Sequence, residues 1–115
     1  MAKENVVLIT GCSAGFGRMM AETLARRKYF VFATMRGANS RNAAAANELK
    51  QLAERESLDL RVLDLDVTDE SSVSRAVDAV ITEAGRLDVA VNNAGYSLAG
   101  LAEAFTTAQA QRIFD

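Results

Sequence analysis

Histidine is absent from these 115 residues, and Cys12 is the only cysteine. The first absence removes the commonest general base and metal ligand. A lone cysteine cannot form an internal disulfide and suggests neither secretion nor a structural zinc site. No apolar run approaches the roughly 18 residues of a membrane span. The opening Met1-Ala2-Lys3-Glu4-Asn5 carries no signal-peptide pattern. The expectation is a cytoplasmic chain with no membrane partner. Net charge is also small, at −2, so no nucleic-acid partner is implied. Lysines occur at positions 3, 28 and 50 and nowhere later, and the tyrosines are Tyr29 and Tyr96.

What is present is ordinary for a soluble globular domain: 50% hydrophobic and 24% charged residues, in a chain long enough for one real core. Charge is divided unevenly. Residues 1–58 hold 9 Lys/Arg against 5 Asp/Glu, whereas residues 59–115 hold 4 against 10. The positive half contains a glycine-rich stretch, Thr10-Gly11-Cys12-Ser13-Ala14-Gly15-Phe16-Gly17. It follows the apolar run Val6–Ile9 and precedes a helix-patterned segment. A strand, a glycine turn and a helix start make a seat for a diphosphate. The helix terminus offers unpaired N–H groups and partial positive charge, and glycines let the backbone approach closely.

Apolar runs and helical patterns alternate along the rest of the chain. The spacing predicts strands at 6–9, 30–34, 60–65 and 87–91. It predicts helices at 16–27, with Met19, Met20, Leu24 and Ala25 inward, at 41–57, and from a Thr68 or Asp69 cap to Ala84, ended by Gly85. A last helix, capped by Thr106 or Thr107, runs to Asp115. Strands joined through helices run parallel with right-handed crossovers, and helices cover both faces. The fold expected is an α/β doubly wound parallel sheet of Rossmann type, one domain over residues 1–115 without a linker.

Coenzyme choice is set after the second strand. NAD binding calls for an acidic residue about 20 positions beyond the glycines. None occurs between Glu22 and Glu48, and Arg36 lies 19 residues after Gly17. A guanidinium there suits a 2′-phosphate, and the missing carboxylate removes a repulsive charge. NADP(H) is therefore favoured over NAD(H), with Arg41 a second candidate cation. Thr10 and Ser13 carry hydroxyls that brace the turn or reach a phosphate. Asp64, Asp66 and Asp69 make no metal site, because the first strand supplies no matching acid. Asp64 and Asp69 read as a strand end and a helix cap. Asp66 suits the adenine amino group, with Val67 against the ring. Asn92-Asn93-Ala94-Gly95 ends the fourth strand at the edge where ligands collect.

These residues resemble the short-chain dehydrogenase/reductase family over essentially the whole chain. Thr10–Gly17 matches its T-G-x-x-x-G-x-G motif, with Phe16 where isoleucine or leucine is usual. Asp66-Val67 matches its adenine-contact pair, and Asn92–Gly95 its N-N-A-G motif. The resemblance implies that Gly11, Ser13, Gly15, Phe16 and Gly17 hold the diphosphate side, within a loop opened by Thr10. It implies Arg36 at the 2′-phosphate, Asp66 and Val67 at the adenine, and Asn93, Ala94 and Gly95 at the nicotinamide-side ribose. It also implies a strand order of 3-2-1-4 with further strands beyond. Two departures stand out. Many NADP-type members have a basic residue in the glycine loop, where this chain has Ser13 and Ala14. The first helix ends Arg27-Lys28-Tyr29, where the family often has a glycine cap.

The family's proton relay uses a serine, a tyrosine and a lysine four residues after the tyrosine, whose ammonium favours tyrosinate. Four residues beyond Tyr29 and Tyr96 stand Ala33 and Gly100. No catalytic residue is therefore assigned. The chain is expected to be the coenzyme-binding half of a longer oxidoreductase, inactive alone, which in the intact protein acts on a small carbonyl or alcohol. Its fourth strand is expected to be a bare apolar edge that favours self-association or a homo-oligomer. The alternative is a non-catalytic dinucleotide sensor or interaction module. A phosphoacceptor domain lacks its acidic pair after the first strand, and a P-loop NTPase lacks Gly-Lys-Ser/Thr.

Overall fold

The computed structural model describes residues 5–93. The expected last helix, and Tyr96, Ser97 and Leu98 after the fourth strand, lie outside the described residues. Seven elements alternate: β1 (Val6–Ile9), α1 (Gly15–Arg26), β2 (Phe30–Met35), α2 (Ala43–Glu56), β3 (Leu60–Asp64), α3 (Glu70–Ala84) and β4 (Val89–Val91). All pairings are parallel, and the sheet order is β3-β2-β1-β4. The doubly wound Rossmann-type sheet read from the sequence is what forms.

Period-two alternation splits the strands between two cores. Val6, Leu8, Phe30 and Phe32 face one side, where α3 lays down Val73, Ala76, Val77, Val80 and Ile81. Val7, Ile9, Val31, Ala33 and Met35 face the other, against α1 and α2. Central strands β1 and β2 are buried on both faces and are apolar at nearly every position. Among the described residues, no helix is long and apolar enough to cross a membrane.

Three expectations need correction. On α1, the buried residues are Gly17, Ala21 and Ala25, four apart on one stripe. Met20 and Leu24 flank that stripe, while Met19 points outward, 57% exposed. Small residues let α1 lie close on the sheet, and their size hid the stripe. Secondly, α2 begins at Ala43 rather than 41, because residues 37–42 fold back in turns, with Asn42 N–H donating to Gly37 O at 2.8 Å. Thirdly, β4 starts at Val89 rather than 87. Leu87 is fully buried, but at Asp88 the ladder is only half made: its N–H donates to Val6 O at 3.0 Å, while its carboxylate accepts the Val6 N–H at 2.7 Å in place of a backbone carbonyl.

Helix ends follow from local chemistry. Asp69 caps α3, its carboxylate accepting the Ser71 N–H at 3.0 Å, and Gly85 closes it in the left-handed conformation. Lys28 stands just past α1 at φ 75°, the left-handed region in which glycine is easiest.

Candidate functional site

The turn after β1 is built by two left-handed glycines, Gly11 at φ 68° and Gly15 at φ 65°. Gly17, in the first turn of α1, has no room for a side chain. A Cβ there would collide with the Gly11 carbonyl and lie 2.6 Å from Asn93 Nδ2. The residue before α1, Ala14, gives it no side-chain cap, and its first turn holds no acid. The first N–H groups of α1 are therefore turned toward the glycine loop without a capping side chain, the condition an anion requires.

The end of β4 is tied to this loop. Thr10 Oγ1 donates to Asn92 Oδ1 at 3.0 Å and accepts the Asn93 N–H at 2.9 Å. Asn93 Nδ2 donates to Gly11 O at 3.2 Å, and Thr10 N–H donates to Val91 O at 3.0 Å. The hydroxyl of Thr10 therefore braces the turn, and the residue is 1% exposed.

A cleft of about 350 Å³ opens where the C-terminal ends of β1, β2 and β3 converge. Thr10, Gly11 and Ser13 form its β1 side, Met35 and Arg36 its β2 side, and Leu65 and Val67 its β3 side. Arg41 and Asn42, ahead of α2, complete it. Two guanidinium groups thus enter its lining, and no carboxylate does. Met35, Leu65 and Val67 supply apolar lining, and Thr10, Ser13, Arg36, Arg41 and Asn42 supply polar groups. A nucleotide has the same division, an apolar-faced base joined to anionic phosphate.

Asp66 stands on the rim. Its Oδ1 accepts the Thr68 N–H at 3.0 Å and the Thr68 hydroxyl at 2.6 Å, and Arg36 Nε lies 3.9 Å away. Those Thr68 bonds, with smaller help from Arg36 and Arg41, hold its carboxyl below the usual aspartate range. Asp64 is the end of β3, as expected, and accepts the Ala38 N–H at 3.0 Å. Phe16 is 73% exposed and does not line the cleft. Ala94 and Gly95 lie outside the described residues. The structure thus gathers Thr10, Gly11, Ser13, Arg36 and Val67 in one cleft, with Asp66 at its rim and Gly17 and Asn93 behind the loop.

Three cleft residues escape a sequence reading. Met35 and Leu65 look like ordinary strand residues until the ends of β2 and β3 are side by side. Asn42 Nδ2 donates to Arg36 O at 2.6 Å, fixing the backbone that carries the guanidinium. An asparagine just ahead of an alanine-rich helix was the available signal.

Residues 5–115 match the model of a family described as short chain dehydrogenase. The chain belongs to that family. Short-chain dehydrogenases are oxidoreductases, and two relatives show the extent of the likeness. Human retinol dehydrogenase 8 is 38% identical over 120 residues, covering 99% of this chain and 35% of that protein. A 3-ketodihydrosphingosine reductase from Bacteroides thetaiotaomicron is 37% identical over 104 residues, covering 90% of this chain and 33% of that one. The chain thus spans about a third of the length of these curated relatives. Among solved structures, an actinorhodin polyketide ketoreductase with NADPH superposes with a TM-score of 0.77 at 21% identity, over 96% of this chain and 50% of that one. At that identity the likeness carries the short-chain dehydrogenase fold alone.

Proposed function

We propose that this chain is the coenzyme-binding part of a cytoplasmic, NADP(H)-dependent oxidoreductase that interconverts a small-molecule carbonyl and alcohol. The carrying observation is the cleft that puts Arg36 and Arg41 beside the glycine loop with no carboxylate in its lining. An NAD site would place an acid at this strand end, where it would bond the ribose hydroxyls and repel a phosphate. In this reading, the N–H groups of Gly15, Phe16 and Gly17, with Gly11 and Ser13, hold the diphosphate. Thr10 shapes their loop. Arg36 takes the 2′-phosphate, Val67 lies against the adenine and Asp66 accepts from its amino group. Asn93, Ala94 and Gly95 serve the nicotinamide-side ribose. When bound, the dinucleotide supplies or accepts a hydride at the nicotinamide; this chain's part is to fix its position. The named relatives are a dehydrogenase and a reductase, which favours this reading over a non-catalytic sensor module.

The test is a pair of binding titrations with NADPH and NADH, on the protein and on Arg36→Ala. The expected result is a preference for NADPH that falls by about tenfold or more in the variant, with NADH little changed. Equal affinities for the two coenzymes, untouched by the substitution, would overturn the assignment. A tyrosine–lysine relay is missing from the sequence, so the 115-residue chain alone is expected to oxidise no NADPH.

A further inference from the structure

Arg36 faces a carboxylate before any ligand arrives. Asp66 is fixed on the cleft rim from two directions. Its own N–H donates to Ser72 Oγ at 2.9 Å, anchoring it to α3, and Thr68 grips its Oδ1 through both N–H and hydroxyl. These bonds hold the carboxylate near Arg36, whose Nε is 3.9 Å from the same oxygen. Both side chains remain partly exposed, 43% for Arg36 and 35% for Asp66, so the pair is loose and a ligand can reach between them.

We propose that Asp66 sets how strongly this protein discriminates between coenzymes with and without a 2′-phosphate, by acting as an internal anion that competes for Arg36. The proposal rests on Arg36 being the 2′-phosphate partner, as argued above. A phosphate at that position must draw the guanidinium away from this carboxylate. A coenzyme with a plain 2′-hydroxyl does not meet that cost. Asp66 therefore narrows the preference that Arg36 creates. The Thr68 bonds, with smaller contributions from Arg36 and Arg41, hold the Asp66 carboxyl below the usual aspartate range, so it is an anion at neutral pH.

This role can be separated from any contact between Asp66 and adenine. Adenosine 2′,5′-bisphosphate and adenosine 5′-monophosphate share the base, so a changed adenine contact cancels in the ratio of their affinities. Calorimetric titration of both, on the full chain, gives that ratio for the unaltered protein, Asp66→Asn, Arg36→Ala and the double variant. Asp66→Asn keeps an oxygen for Thr68 but loses the charge. The ratio favouring the bisphosphate is expected to rise by about fivefold in Asp66→Asn, the scale of one partly screened charge pair. It is expected to change less than about twofold when Asp66→Asn is added to Arg36→Ala, because the competition has gone. Asp66→Ser, which keeps an acceptor for the Thr68 N–H, is expected to reproduce the rise and covers a poorly folding Asn variant. A clear preference in the unaltered protein with no rise in either Asp66 variant would sink this proposal while leaving the Arg36 assignment standing. So would an equal rise without Arg36. No preference in the unaltered protein would sink both.

Discussion

Cys12 lies inside the glycine loop with none of its surface exposed. Its thiol donates to Ile9 O at 3.3 Å, and its N–H to Thr34 O at 2.9 Å. Burial pushes the thiol up to about 12, from 9.0. The native state therefore keeps a proton that the unfolded chain releases near pH 9. The stability due to this group is complete below pH 9 and is lost as pH rises toward 12. Cys12→Ala should cost about 1 kcal/mol at pH 7 by leaving a small void, and its Tm deficit should shrink between pH 9 and 11 in calorimetry. A deficit independent of pH would contradict the buried neutral thiol. Gly17 gives a second prediction. Gly17→Ala must push apart the Gly11 carbonyl and the Asn93 amide, so a loss of about 1–3 kcal/mol in urea unfolding is expected, together with weaker binding of either coenzyme. At this scale the motif residues were legible, because a glycine turn, a basic residue at a strand end and an asparagine pair each have few physical uses. Met35, Leu65 and Asn42 were not, since their part depends on neighbours far away in sequence.

Elements were read best where a single force shapes them. The buried strands β1 and β2 are apolar at nearly every position, and α3 shows its inward face as a clear stripe of valines and isoleucine. The first helix was misread at Met19, because a stripe of Gly17, Ala21 and Ala25 has little hydrophobic signal although it packs most closely. The late start of β4 came from Asp88, whose carboxylate stands in for a backbone carbonyl at Val6; no periodicity reveals that. The end of α1 offers a stabilising change. Lys28 holds a left-handed conformation at φ 75° where glycine avoids the strain of a Cβ. Lys28→Gly is expected to raise stability by about 0.5–1 kcal/mol in urea unfolding, net of glycine's extra entropy in the unfolded chain. No gain would mean that the lysine side chain offsets its own strain.

At the scale of the whole molecule, the sheet has β3 at one side and β4 at the other. Among the described residues β4 pairs only with β1, and Val89 on it is 48% exposed. An apolar strand whose outer side is left unpaired pairs with another chain when it can. The 115-residue chain is therefore expected to self-associate, with a sedimentation coefficient and a Tm that rise with concentration over about a hundredfold range. A monomer with a sharp, concentration-independent transition would refute this. The alternation of strands and helices, the parallel sheet and the position of the glycine loop followed from the sequence alone. Backbone hydrogen bonding and the burial of apolar faces leave such a pattern few ways to fold. Tertiary structure alone decided which side chains share the cleft. It brought Arg36 against Asp66 across 30 positions, and bound Asn93 to a loop more than 80 residues earlier. Those meetings depend on strand order and on the register between neighbouring strands, which no short stretch of residues specifies.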